Sequence, residues 1–326
     1  MEDQDNQHES EYVRITRPAI AIRAGSPVFV RRNGTYNLIR EADEPVSPQM
    51  RMEMSFRRLS LYTTKEHRGQ VLNAMQDTLQ DVIGDEGDVP VAKTRELKSL
   101  TVDIAAHIFD APDAPEVVDA VEDTAATTVD RLYGNQDVVK RIFVMKEHDY
   151  TTATHSVNLM AMTMAYCAHT KKDEGFAYQL ATAGLLHDIG KTSVDPELLT
   201  AARRLSADEF KQIQSHPAKG MQLVLESGHE FTPTVVNVVA QHHEKLDGTG
   251  YPEGVTEAEL PEESRIVTVM DCYEALTTDS RPYRKGLSAV KALEIILEEV
   301  QGGKFDREVY EQLVQMLHRG ELGEKE

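Results

Sequence analysis

The chain has 326 residues, 40% of them hydrophobic, and a formal net charge of −20. It is long enough for two domains and a substantial core, and a field of that sign argues against a nucleic acid polymer or an anionic membrane surface as partner. Cys167 and Cys272, the two cysteines, form neither a disulfide framework nor a Cys-type zinc site.

The N-terminal stretch MEDQDNQHES is acidic and polar, without the basic and apolar regions of a secretory signal. No apolar run approaches the roughly 18 residues needed to span a bilayer. No membrane insertion and a reducing cytoplasm are therefore expected. Residues 1 to about 12 read as unstructured. From Tyr12 to about Thr63 the pattern is extended. Val28-Phe29-Val30 leads to Asn33-Gly34 and then Tyr36 to Ile39, a hairpin signal, and Leu59 to Tyr62 reads as a further strand. Arg31 and Arg32 read as a solvated edge. Residues 1–65 are thus expected to be a small β-containing module.

The period then turns helical. Val71, Met75, Leu79 and Val82 recur at spacings of three and four, followed by a second helix on Leu97, Leu100, Ile104 and Ile108 and a third over 117–132. Residues 66–137 read as a helical connector, open to packing on a second copy of the chain. From 138 to 326 helix follows helix. The apolar segment 152–169 is rich in methionine, more often a core feature than a cofactor site. Helices are expected over 177–187, 206–225, 234–243, 264–278, 288–300 and 306–318. Ser206 and Glu209 form a capping box, and His216-Pro217 interrupts the helix that follows. The fold expected is mainly α: an all-helical catalytic domain behind a β-containing module and a helical connector.

Chemistry concentrates in the helical part. Gly184 to Lys191 reads GLLHDIGK, placing His187 and Asp188 side by side at the end of an apolar helix. Adjacent helical residues point about 100° apart, so the pair converges only where the helix ends or where one carboxylate bridges two metals. His155, His216, His242, His243 and Asp271 each lie in the middle or at the end of other apolar helices. Buried imidazoles and carboxylates are costly unless paired or metal-bound. Seven such groups in a helical bundle suit two metal ions, with Asp188 as the bridge. Two adjacent metals can activate water at neutral pH and clamp both oxygens of an in-line displacement at phosphorus, so phosphodiester hydrolysis is expected. Lys191, Arg281 and Arg284 supply cations for an anionic substrate. The Gly-Pro-rich loop with Gly250, Tyr251 and Pro252 follows His242-His243 directly, where Tyr251 can stack on a base or donate to a phosphate.

The runs HDIGK, HP at 216, HHEKLDGTGYPEG and DCYEALTTDSRPYRK, in that order, closely resemble the HD-GYP domain, a subgroup of the HD phosphohydrolases. The resemblance spans about 138–317. It implies an iron or manganese site and hydrolysis of cyclic di-GMP to pGpG or GMP. It implies His155, His187, Asp188 and Asp271 around one metal, and Asp188, His216, His242 and His243 around the other. It makes Lys191 the phosphate contact, places Gly250, Tyr251 and Pro252 beside substrate, and matches Arg281 and Arg284 to guanine or phosphate contacts. Members with a third metal carry a carboxylate shortly before the first histidine; Thr151 stands four before His155 here, so two metals are expected. The resemblance leaves open a homodimer through the N-terminal region, a signalling partner at the GYP loop, a receptor with little turnover, and another nucleotide as substrate.

Overall fold

The computed structural model describes residues 11–54, 60–84, 89–145, 151–278 and 286–320, and the chain divides into two compact units, 1–81 and 82–326. In the first unit, strands β1 (Tyr12–Ile15), β2 (Val28–Arg32), β3 (Thr35–Arg40) and β4 (Leu61–Thr64) form one antiparallel sheet in the order β1-β4-β2-β3. Asn33 and Gly34 both take positive φ, 51° and 81°, the condition for a two-residue hairpin, and Arg32 pairs with Thr35 across it. Val13, Ile15, Val28, Val30 and Leu61 are buried on one face. Tyr12, Phe29, Tyr36 and Tyr62 meet on the other, the Tyr12 and Tyr36 rings stacked at 3.8 Å. Two short helices, α1 (Pro18–Arg23) and α2 (Pro48–Met54), sit within the segment read as extended. Each opens on a proline, whose fixed φ suits a first helical turn. Strand β1 starts at Tyr12, the last residue of the stretch read as unstructured. β4 starts at Leu61; Leu59 lies outside the described residues.

Helix α3 (Arg68–Ile83) leads into the second unit, which is helical among its described residues. Its central helix, α7 (Thr152–Thr170), is buried continuously from Ala153 to Cys167. Thr151 caps its start by accepting from the Thr154 amide at 3.2 Å. Met160, Met162 and Met164 are buried core residues, as their pattern predicts. Around α7 pack α4 (Val91–Asp110), α6 (Gln136–Val144), α8 (Glu174–Leu186), α13 (Glu262–Thr277) and α15 (Arg307–His318). Helix α5 (Pro115–Leu132) lies against α4 and α8. The segment Pro196–Leu199 forms the one-turn helix α9, and α14 (Ala289–Gln301) packs on α13.

The segment read as a single interrupted helix forms two, α10 (Ala207–Gln214) and α11 (His216–Glu226). Pro217, which has no amide hydrogen, falls in the first turn of α11. The capping box at Ser206 and Glu209 is formed, with Glu209 N at 3.2 Å from Ser206 Oγ and Ser206 N at 2.8 Å from Glu209 Oε2. Ser206→Ala is expected to lower the urea midpoint by an amount equivalent to about 1 kcal/mol, with the slope unchanged.

Candidate metal centre

The second unit brings helix ends to one point. Helix α8 terminates at His187, whose amide still donates to the Ala183 carbonyl at 2.8 Å. Asp188 then leaves the helix at φ −97°, ψ 7° and opens a 3₁₀ turn over Ile189–Ser193. That change of course lets two neighbouring side chains converge. Gly190 makes the turn compatible with α11: a Cβ there would lie 1.9 Å from the His216 carbonyl oxygen and 2.5 Å from the Gly220 amide. Both contacts are backbone, so neither can swing aside. Gly190→Ala is expected to separate Asp188 from His216 and to destabilise the fold by about 2–4 kcal/mol, read as a lower thermal midpoint.

His216 stands in the first turn of α11, His242 caps the end of α12 (Pro233–Gln241) with His243 next, Asp271 lies within α13, and His155 lies early in α7. The structure brings all seven sequence-identified donors together in two groups: Asp188, His216, His242 and His243, and His155, His187 and Asp271. Asp188 is 1% exposed, and His187, His216 and His242 are fully buried.

Hydrogen bonds fix the tautomers. His187 Nδ1–H donates to the Gly184 carbonyl at 2.9 Å, His216 Nδ1–H to Ile213 at 2.7 Å, and His242 Nδ1–H to Val238 and Val239 at 3.1 and 3.2 Å. A carbonyl only accepts, so the proton is on Nδ1 in each ring and Nε2 carries a lone pair in the neutral form. The Nε2 atoms approach one another in pairs. His216 Nε2 and His242 Nε2 are 3.1 Å apart, and His187 Nε2 is 3.1 Å from His155 Nε2.

Asp188 divides its oxygens between the groups. Oδ1 lies 3.2 Å from His216 Nε2 and 3.7 Å from His242 Nε2; Oδ2 lies 3.3 Å from His187 Nε2 and 3.8 Å from His155 Nε2. Oδ1 is buried without a hydrogen-bond partner. His242 is pushed down to about 4 by burial, reinforced by the charges of His187 and His216, and is neutral at pH 7. Burial also holds His243 well below the usual imidazole range. Burial opposes the charge on Asp188, yet His187 and Lys191 hold its carboxyl well below the usual range. A buried carboxylate oxygen and two imidazole nitrogens converging on one point fit a cation. The mixed imidazole–carboxylate donor set suits a divalent one.

The HD domain family profile matches residues 121–309. The chain belongs to the HD domain family. Among curated relatives, the cyclic di-GMP phosphodiesterase PA4108 of Pseudomonas aeruginosa is 32% identical over 64% of this chain and 49% of its own length. The 3'3'-cGAMP-specific phosphodiesterase 1 of Vibrio cholerae is 35% identical over 45% of this chain and 35% of its own. The chain thus spans about half or less of these relatives. The solved structure of Bd1817, a HDG"Y"P protein from Bdellovibrio bacteriovorus, shares the fold, with a TM-score of 0.70 at 20% identity, covering 94% of this chain and 100% of that one.

In this HD domain the remaining site residues fall as follows. Lys191 Nζ lies 2.5 Å from Asp188 Oδ2, its side chain one-quarter exposed. The half-buried Tyr251 ring packs at 4.7 Å from the His243 ring, and its amide donates to the His243 carbonyl at 3.2 Å. Gly250 passes so close to Glu244 that a Cβ would lie 2.4 Å from its Cα. Pro252 follows Tyr251 in the half-buried turn. Arg281 and Arg284 lie outside the described residues.

The sequence reading passed over two buried carboxylates. Glu274 is 0% exposed; its Oε2 accepts from His155 Nδ1 at 2.7 Å, and its Oε1 accepts from Asn158 Nδ2 and Thr278 Oγ1, each at 2.7 Å. On its other side His155 Nε2 faces Asp271 Oδ1 at 2.9 Å. Burial would depress His155, but Glu274 and Asp271 raise it to about 10. Glu274 is three residues after Asp271 on α13, a spacing that puts both on one helix face. The other carboxylate, Glu244, is 1% exposed and accepts through Oε1 from the Glu253 and Gly254 amides at 2.7 and 3.0 Å.

Proposed function

We propose that the chain is a phosphodiesterase that hydrolyses cyclic di-GMP to pGpG or on to GMP, with two divalent cations, iron or manganese, as cofactors. The observation that carries this reading is the division of the donors about Asp188, one carboxylate oxygen to each group. His155, His187 and Asp271 with Asp188 Oδ2 would hold one ion; His216, His242 and His243 with Asp188 Oδ1 would hold the other. When bound, such a pair makes water nucleophilic at neutral pH and offsets charge developing on phosphorus.

Lys191 brings a positive charge to the edge of the cluster, where its ammonium can turn from Asp188 to a phosphate oxygen. Burial raises the Tyr251 phenol above its ordinary range, so at neutral pH it is a hydrogen-bond donor beside His243. Gly250 and Pro252 shape that loop, and Arg281 and Arg284 would complete the contacts to guanine and phosphate. Tyr251→Phe is expected to lower kcat/KM about tenfold, chiefly through KM, with metal content unchanged.

No described helix is long and apolar enough to cross a membrane, and Cys167 and Cys272 are free thiols. We assign the protein to a reducing cytoplasm, with residues 138–326 as the catalytic domain, 66–137 as connector and 1–65 as the module through which a homodimer would form. A signalling protein would meet the GYP loop.

A second reading is 3'3'-cGAMP as substrate, favoured by the 35% identity to the Vibrio cholerae enzyme of that specificity. A substrate panel tests both. A kcat/KM for cyclic di-GMP at least about tenfold above that for 3'3'-cGAMP supports the first reading, and the reverse ratio supports the second. Tight binding without cleavage by fully metallated protein would make the chain a receptor.

A further inference from the structure

The loop carrying Tyr251 hangs on Glu244, and only half of that carboxylate is accounted for. Oε1 takes the Glu253 and Gly254 amides; Oε2 is buried with no hydrogen-bond partner. Arg265 Nε, from the first turns of α13, is also buried without a partner. Glu244 and Arg265 line one cavity of about 10 Å³, together with Thr268, Phe305 and Asp306. The orphaned atoms have opposite needs, one an acceptor and the other a donor. Arg265 cannot turn freely, because its Nη1 donates to Asp306 Oδ2 at 3.0 Å, and Asp306 caps α15 by accepting from the Glu308 and Val309 amides. Thr268 Oγ1 donates to the Ser264 carbonyl at 2.8 Å and keeps lone pairs free to accept. A space of this size has room for one water, and two to four polar partners are what such a water requires.

We propose that one internal water in this cavity accepts from Arg265 Nε–H and donates to Glu244 Oε2, which makes Glu244 and Arg265 positioning residues for the loop that carries Tyr251. Neither side chain touches substrate in this scheme. Helix α13, which carries Asp271 and Glu274 to the metal centre, would hold the loop at the same time through Arg265, the water and Glu244. The effect on substrate rests on the phosphodiesterase reading; the effect on the loop does not.

The test is amide exchange at Glu253 and Gly254, measured by NMR on the metal-loaded full chain. Glu244→Ala is expected to raise exchange at both amides about tenfold or more, and Arg265→Met, which keeps bulk but loses Nε–H, about threefold. The double variant should match Glu244→Ala alone, because both changes break one chain of contacts. Glu244→Gln, which keeps a carbonyl for the two amides, should restore most of the protection. In turnover, Glu244→Ala should raise KM about tenfold while kcat and metal content stay within about twofold of wild type. Wild-type protection in Arg265→Met, or effects that multiply in the double variant, would overturn the bridge. If Glu244→Ala does not fold, Arg265→Met alone decides, because it leaves both amide bonds to Glu244 in place. Exchange is read without turnover, so a chain that cleaves no cyclic dinucleotide would sink the phosphodiesterase reading while this test still stands.

Discussion

Asp188→Asn is expected to lower turnover at least about a thousandfold and to reduce bound metal from about two ions per chain to one or none. The side chain is 1% exposed and meets imidazole nitrogens on both flanks, Oδ1 at 3.2 Å from His216 Nε2 and Oδ2 at 3.3 Å from His187 Nε2. An amide is nearly isosteric, so the fold should survive and the chemistry alone should change. One acceptor becomes an NH2 group that points a donor where a cation belongs, and the negative charge shared by both groups disappears. Lys191 also loses its partner at 2.5 Å. Metal content by mass spectrometry, turnover and far-UV circular dichroism on one preparation separate these effects. Full metal loading with turnover within about threefold of wild type would refute the bridging role.

Glu274→Gln should have the next largest effect, a loss of about 10- to 100-fold in metal affinity at the His155, His187 and Asp271 group, with the other group keeping its ion. Glu274 accepts through both oxygens, from His155 Nδ1 on one side and from Asn158 and Thr278 on the other, all at 2.7 Å. A glutamine can accept on only one side. If its carbonyl faces Asn158 and Thr278, its NH2 faces His155 Nδ1 and drives the imidazole proton to Nε2, the atom that faces Asp271 at 2.9 Å. If it turns the other way, it opposes the donors of Asn158 and Thr278 in a fully buried position. The measurement is ion content after dialysis against a series of metal concentrations. About one ion per chain where wild type holds about two is the expected result. Unchanged affinity at both groups would show that Glu274 only fills space.

The seven clustered donors were legible because histidine and aspartate in the middle or at the ends of apolar helices have few unpaired options. Glu274 was not. A glutamate in a helix that also carries Glu262 and Glu263 reads as part of a solvated face, and only its three-residue spacing from Asp271 hints that it turns inward. Asn33-Gly34 announced the hairpin because that turn needs positive φ at both positions. The helices Pro18–Arg23 and Pro48–Met54 are six and seven residues long, too short to display a period against a β-rich background. The demand on Gly190 is tertiary: it comes from the His216 carbonyl on another helix, which no local pattern reveals. Glu244 stood inside a motif rich in histidine and glycine, where its neighbours carried the chemical signal, and its bonds to the Glu253 and Gly254 amides exist only once the loop has turned back.

The most direct measurement is cyclic di-GMP turnover by anaerobically purified protein, with metal content determined on the same sample. The account predicts about two iron or manganese ions per chain and conversion to pGpG, with turnover lost in His187→Ala together with the ion of the His155, His187 and Asp271 group. A fully metallated chain that binds the dinucleotide and leaves it intact would contradict it.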